Sequence, residues 1–244
     1  MLPNFLNKFS KEIDGVIHVG AHIGQEFVHY NKHNFDKVLF FEPQKDIFKR
    51  LINNVENYDN VECYNFALGS MEENKVIYKS QGNQGLSSSV LPPELHLEVQ
   101  PDISFLDTEE IEIKRFDSLD VDILNFLTLD VQGLELEVLK GFGEALNKVE
   151  FIFTEINTKY LYKDNALVGD IDAYLKGFNF VRVFTNIDCF NYFGDAFYIK
   201  KTNKIYKKKF LEKIINQINI SNYYLHIKKL IYPKKLVKSI IKKI

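Results

Sequence analysis

Apolar and polar positions alternate in two rhythms along most of this chain. Val16-Ile17-His18-Val19 is a short apolar run that ends at Gly20, and a stretch with helical spacing follows from Gln25 to His33. Lys37 to Phe41 reads as a second buried strand, closed by Glu42-Pro43. Asp46 to Val55 carries Ile47, Phe48, Leu51, Ile52 and Val55 on one helical face, and Val61 to Phe66 is a third strand. Strand, helix, strand, helix, strand at this pitch predicts right-handed βαβ units and a parallel sheet. The rhythm breaks between Lys75 and Phe116. There Val76-Ile77-Tyr78 and Ile111-Glu112-Ile113-Lys114 look like edge strands around a Gly/Ser/Pro-rich segment, Gln81 to Asp102, too long for a plain connection. It resumes with a strand at Phe126 to Leu129, a helix from Glu135 and a strand at Phe151 to Phe153. A helix at Ile171 to Leu175 follows, then two closing strands at Phe180 to Phe184 and Ala196 to Ile199. The fold class predicted is α/β: a doubly wound, mostly parallel, seven-stranded sheet with an antiparallel pair at its end. The domain expected is residues 1–200, with 75–116 inserted as a lid over the acceptor, followed by a tail, 201–244.

Composition adds little to this picture until it is split along the chain. With 45% hydrophobic and 26% charged residues, the 244-residue chain is ordinary for a globular protein, and its net charge is −2. From Lys200 onward, however, there are 14 Lys, no Arg and one acid, Glu212, a net of +13. The preceding residues hold 17 basic and 32 acidic side chains, a net of −15. An acidic body with a basic tail suggests that the tail has a partner of its own. Tyr206, Phe210, Leu211, Ile214, Ile215 and Ile218 share one helical face, and Leu236, Val237, Ile240, Ile241 and Ile244 repeat the spacing, with lysines opposite. A basic amphipathic helix suits an anionic membrane surface, here through residues 202–244. Packing on the body or on a second subunit, as a homo-oligomer, is the alternative. Nucleic acid is disfavoured by the missing Arg and the scarcity of stacking aromatics.

No apolar run approaches the roughly 20 residues that cross a bilayer, and Met1 to Ser10 has no signal-peptide pattern. The two cysteines, Cys63 and Cys189, sit far apart in apolar runs and are expected to be buried and reduced. The expected location is therefore cytoplasmic, peripheral on the inner face of the membrane if the tail binds lipid.

In an open α/β sheet, ligands bind outside the carboxyl ends of the strands, so chemistry is sought just after each one. After the first strand, Gly20-Ala21-His22-Ile23-Gly24-Gln25 lets the backbone turn tightly beneath a ligand. His22 occupies the middle position of a dinucleotide fingerprint, which disfavours a nicotinamide oxidoreductase. Glu42, at the second strand's tip, is placed to accept both hydroxyls of a ribose, and Pro43 adjoins it. Ala67 and Leu68 after the third strand suit an adenine face. Asp130 follows the fourth strand, next to Gln132 and ahead of Glu135, whose plain role is to compensate the helix dipole. Glu155 and Asn157 close the fifth, so Asp130 and Glu155 are candidate general bases. His96 in the inserted segment is a third, and Ser87, Ser88, Ser89, Gln132 and Asn157 are candidate acceptor-binding residues. His18 reads as a core histidine, His29 and His33 as part of a helix face. No spacing suggests a metal site.

Taken in order, Val19 to Gln25, Phe41-Glu42-Pro43, Asn65 to Gly69, Gly85 to Ser89, Leu129 to Glu135 and Glu155-Ile156 resemble the FkbM-type methyltransferases, over about Asp14 to Lys200. The resemblance implies S-adenosylmethionine as cofactor and a hydroxyl on a sugar, glycolipid or polyketide as acceptor. By position it assigns Gly20, Ala21, Gly24 and Glu42 to the cofactor, with Ala67 beside adenine. That family often has Asn where this chain has His22, and Glu where it has Gln132. The expected activity is O-methylation of a carbohydrate or glycolipid hydroxyl. The alternative is a non-catalytic module that binds an adenosine-containing ligand and is recruited to membrane or nucleic acid by its tail.

Overall fold

A computed structural model describes residues 1–188 and 190–207. Cys189 and residues 208–244, which hold nearly all of the amphipathic tail, lie outside the described residues.

The chain opens with a helix that the apolar rhythm does not announce. In α1 (Leu2–Phe9), Pro3 sits in the first turn, where its missing N–H costs nothing, and Leu2, Phe5, Leu6 and Phe9 are buried. The next elements are β1 (Gly15–Val19), α2 (Phe27–Lys32), β2 (Lys37–Phe41), α3 (Lys45–Val55) and β3 (Val61–Tyr64). In α3, Ile47, Leu51 and Val55 repeat every four residues and bury one stripe, while Asp46 faces the positive end of the helix. A smaller unit follows: β4 (Ala67–Leu68), β5 (Glu73–Gln81), α4 (His96–Val99) and β6 (Ser104–Lys114). The rest is β7 (Phe126–Leu129), α5 (Glu135–Phe142), β8 (Phe151–Asn157), α6 (Val168–Gly177), β9 (Phe180–Asp188) and β10 (Phe193–Lys200). A single helical turn, α7 (Lys204–Lys207), belongs to a separate unit that begins at Lys204.

Seven strands form the main sheet in the order β3-β2-β1-β7-β8-β10-β9. The first five run parallel, and β10 pairs antiparallel with both β8 and β9. These are the seven strands marked by the apolar runs. All residues of β1 and β7 are buried, as a strand covered on both faces requires. The inserted segment is more ordered than its Gly/Ser/Pro content suggests, because β5 and β6 form an antiparallel ribbon that β4 extends into a three-stranded sheet. The expectation for the cysteines needs correcting, since Cys63 is only half-buried: β3 is an edge strand with no neighbour on its far side.

The strand order reverses between β1 and β7, whose carboxyl ends diverge to leave a crevice. Two apolar layers hold that crevice open. On one face, Phe116 stacks on Phe142 with centroids 4.0 Å apart. On the other, Phe5 of α1 lies 4.2 Å from Phe197, and Phe9 packs against Phe151.

Candidate active site

The turn after β1 is tied to its neighbours by backbone bonds. Gly20 and Ala21 N–H both donate to the Phe41 carbonyl, and Asp130 N–H donates to Val19. Gly20 has φ +80°, and a Cβ there would stand 1.8 Å from the Asp130 carbonyl, so only glycine fits. His22 also has positive φ, 49°, and turns its N–H onto Glu42 Oε2 at 3.0 Å. Gln44 N–H reaches Glu42 Oε1 at 2.8 Å. Glu42 is 3% exposed, and burial raises its carboxyl to about 7 against the pull of those two N–H donors. A carboxylate offers about four lone-pair positions, and besides these two backbone donors the Gln44 side chain also bonds to it. Its remaining acceptor capacity is turned to the cleft that it lines.

This carboxylate lines a cleft at the point where the strand order reverses, where open α/β sheets bind their ligands. Gly20, His22, Gln25, Glu42, Pro43 and Asp130 line one side of it. Ala67, Leu68, Ile77 and Val90 supply an apolar wall that suits a flat base. Two residues assigned to the cofactor by resemblance stand behind this surface. Ala21 is fully buried, and a Cβ on Gly24 would meet Leu51 at 2.7 Å, so both shape the turn without lining the cleft.

A second, larger cleft of about 770 Å³ adjoins it. His18, Glu26, Leu86, Asp130 and Gln132 line both, and Glu155, His96 and Ser87 line only the second. At the junction one amide organises the acids. Gln132, held at φ 52° by the β7–α5 turn, donates from Nε2 to Asp130 Oδ1 at 2.7 Å and to Glu155 Oε2 at 2.6 Å. Its Oε1 accepts the Tyr162 hydroxyl at 2.9 Å, which fixes the orientation of the amide. Burial, then the charge of Asp130, pushes the Glu155 carboxyl well above the ordinary range. Asp130 itself is exposed to the cleft. The Glu135 side chain is fully buried and takes the N–H groups of Val131 and Gly133, so it caps the turn that aims Gln132.

The serines are not a flexible linker. Ser88 Oγ accepts Ser80 N–H, and Ser89 Oγ donates to the Gln132 carbonyl. Ser88 and Ser89 face the first cleft, away from the side expected for an acceptor, and only Ser87 reaches the second. Asn157 is 1% exposed and lines neither cleft, because it pairs with Phe193 inside the β8–β10 ladder. His96 is buried between the rings of Phe105 and Tyr162, each 5.3 Å away, and burial lowers its pKa. His18 is a core histidine, bonded to the Tyr30 hydroxyl at 3.0 Å and pushed down to about 3 by burial. Glu26 and Gln44 went unremarked in the sequence. Each directly follows a motif residue, Gln25 or Pro43, and that adjacency was the available signal. Among the described residues, no three His, Cys, Asp or Glu side chains are placed to hold a metal ion.

Residues 18–182 match the Methyltransferase FkbM domain. The chain belongs to the FkbM methyltransferase family. This family member is 26% identical over 157 residues to the 2-O-methyltransferase NoeI of Sinorhizobium fredii (strain NBRC 101917 / NGR234), covering 61% of this chain and 65% of that protein. It is also similar in fold to the crystal structure of methyltransferase FkbM from Methylobacillus flagellatus KT. There the TM-score is 0.53 at 15% identity, over 81% of this chain and 50% of that one. The chain thus spans less than two thirds of the length of either relative. The seven-stranded sheet and its order are those of a Rossmann-like class I methyltransferase.

Proposed function

We propose that this FkbM-family chain is an S-adenosylmethionine-dependent O-methyltransferase that acts on a carbohydrate hydroxyl. The observation that carries the reading is Glu42: a buried carboxylate at the tip of β2, held by backbone donors and lining a cleft that opens onto a second cleft at Asp130. The residues present fit the cofactor. Glu42 would take the ribose hydroxyls, the turn at Gly20 lines the cleft beside it, and Ala67, Leu68, Ile77 and Val90 would flank the adenine. Asp130 would face the cationic end of the molecule. S-adenosylmethionine supplies an electrophilic methyl group.

The chain's own work is to orient and deprotonate. Most of the acceleration in such a transfer comes from holding the acceptor oxygen in line with the methyl group. Glu155 lines only the second cleft, where the acceptor would sit, and would take the hydroxyl proton. Gln132 keeps Glu155 and Asp130 at fixed positions by donating to both. The name of NoeI, a 2-O-methyltransferase, supports oxygen as the atom methylated.

Titration of S-adenosylhomocysteine into the protein tests this. We expect saturable binding well below ~1 mM, and transfer of labelled methyl from S-adenosylmethionine to a sugar. No binding at that concentration overturns the reading.

A further inference from the structure

The second cleft has an unusual charge. Glu26, Asp130, Glu155, Asp188 and Asp195 line it together with Met1, whose amino group is near Asp195, and His29; among the described residues none of its lining residues is Lys or Arg. Asp188 is occupied as a turn cap, accepting N–H from Phe190 and Asn191, which leaves four acids. Glu155 and Asp195 stand directly opposite each other in the β8–β10 ladder, a position where like charges oppose pairing. Gln132 bridges Glu155 to Asp130 but brings no charge. Burial raises the Glu26, Glu155 and Asp195 carboxyls, and each also feels Asp130, while the Met1 amino group draws Asp195 the other way. The buried His18 and His96 rings are held neutral, so they do not offset the acids.

A second observation points to a ligand. His96 is 3% exposed and contributes to the lining of this cleft, yet its Nδ1 is buried with no hydrogen-bond partner. A buried imidazole nitrogen left unsatisfied costs free energy unless something fills its valence. Among the described residues, this ring thus adds an unfilled polar atom to a wall whose acids outnumber its one cationic group, the Met1 amino group.

We propose that this cleft ranks acceptors by charge: a sugar bearing a protonated amine binds best, a neutral sugar binds more weakly, and an anionic one is excluded. The inference rests on reading the second cleft as the acceptor site. An ammonium group between Glu155 and Asp195 relieves their repulsion and returns both to the ionised form, releasing protons. A uronate or phosphate brings a further negative charge to a wall with no Lys or Arg.

The test is calorimetric titration of the methyl glycosides of glucosamine, glucose and glucuronic acid into the full chain, with and without S-adenosylhomocysteine. We expect glucosamine to bind about tenfold or more tightly than glucose, a gap of ~1.4 kcal/mol. That preference should shrink at about 0.5 M salt, and glucuronate should not bind. Asp195→Asn should narrow the glucosamine-to-glucose ratio. Glucose equal to glucosamine, measurable binding of glucuronate, or no binding by any of the three overturns the proposal. Because the ranking is also read without cofactor, a failure to bind S-adenosylhomocysteine counts against the methyltransferase reading alone.

Discussion

Glu42 is placed against its own charge. Burial holds its carboxyl at about 7, yet a ribose diol is best accepted by the ionised form. Cofactor binding should therefore take the proton off, and S-adenosylhomocysteine should bind up to about tenfold more tightly at pH 8 than at pH 6, as linkage requires. Glu42→Ala should weaken that binding by ~1.5–3 kcal/mol and flatten its pH dependence, both read by calorimetry. An unchanged affinity would return Glu42 to the role of a buried turn cap. Its place was legible in the sequence, because a charge straight after Phe40-Phe41 has to find a partner. What could not be read was that His22 and Gln44 would be those partners through backbone N–H groups, since main-chain donors leave no mark on residue identity. Gln132 shows the same limit. Its position after β7 was visible, but its bridge between two acids depends on a left-handed backbone and on Tyr162, 30 residues away.

At the level of elements, the strands with continuous apolar runs were readable because burial on both faces demands them. Two features were not. The amphipathic α1 is short, and its value comes from Phe5 and Phe9 meeting Phe151 and Phe197, contacts that only the folded chain creates. The segment between β5 and β6 looked like loop, because its order comes from side-chain bonds, among them Ser80 with Asn83 and Asn83 with Ser87. Besides the Ser89–Gln132 bond and others, one clasp holds it to the turn after β1: His22 Nε2 lies 2.9 Å from the Gln84 carbonyl. His22→Asn removes the long ring that makes this bond and still tolerates the left-handed turn. The amides of residues 82–89 should then exchange with deuterium faster, while those of β1 and β7 keep their protection. Equal protection in both proteins would mean that the clasp contributes nothing to the segment's stability.

Across the whole molecule, buried acids set a pH optimum. Glu42 and Glu135 titrate near 7 in the folded chain but near 4.5 once unfolded. The folded state thus binds more protons between those values, and the stability this brings is lost as pH rises through 7. His18 acts in the opposite sense, since its folded pKa of about 3 costs stability below 6.5. Above about pH 4.5 the two acids lose more than His18 returns, so on these groups the ligand-free protein should be most stable near pH 4.5 and weaken steadily toward pH 8. Between pH 6 and pH 8 each of the two acids costs about 1 kcal/mol, which together lowers Tm by roughly 4–8 °C. S-adenosylhomocysteine should stabilise more at pH 8 than at pH 6; a flat Tm profile from 6 to 8 would contradict this. The same scale locates the end of the folded body. Lys200 Nζ caps the carbonyls of Leu146, Asn147 and Val149, and Asn203 Nδ2 bonds Glu150, so a chain ending at Asn203 keeps both anchors. That truncation should melt within a few degrees of the full chain. If residues 204–244, with 12 Lys and one acid for a net of +11, bind lipid as the spacing of apolar residues and lysines suggests, truncation should also abolish co-sedimentation with anionic vesicles at low salt.

The two clefts draw on different parts of the chain. Elements from β1 to β5 and the start of the turn after β7 build the first, whereas Glu155, Asn186, Asp188, Phe193 and Asp195 on β8, β9 and β10 wall the second. They meet at five residues: His18, Glu26, Leu86, Asp130 and Gln132. In evolutionary terms this is a division of labour. Mutations along β9 and β10 can drift and be selected for a new acceptor while the cofactor half stays untouched. Descendants of such a chain would diversify in what they modify long before they lose the ability to modify at all.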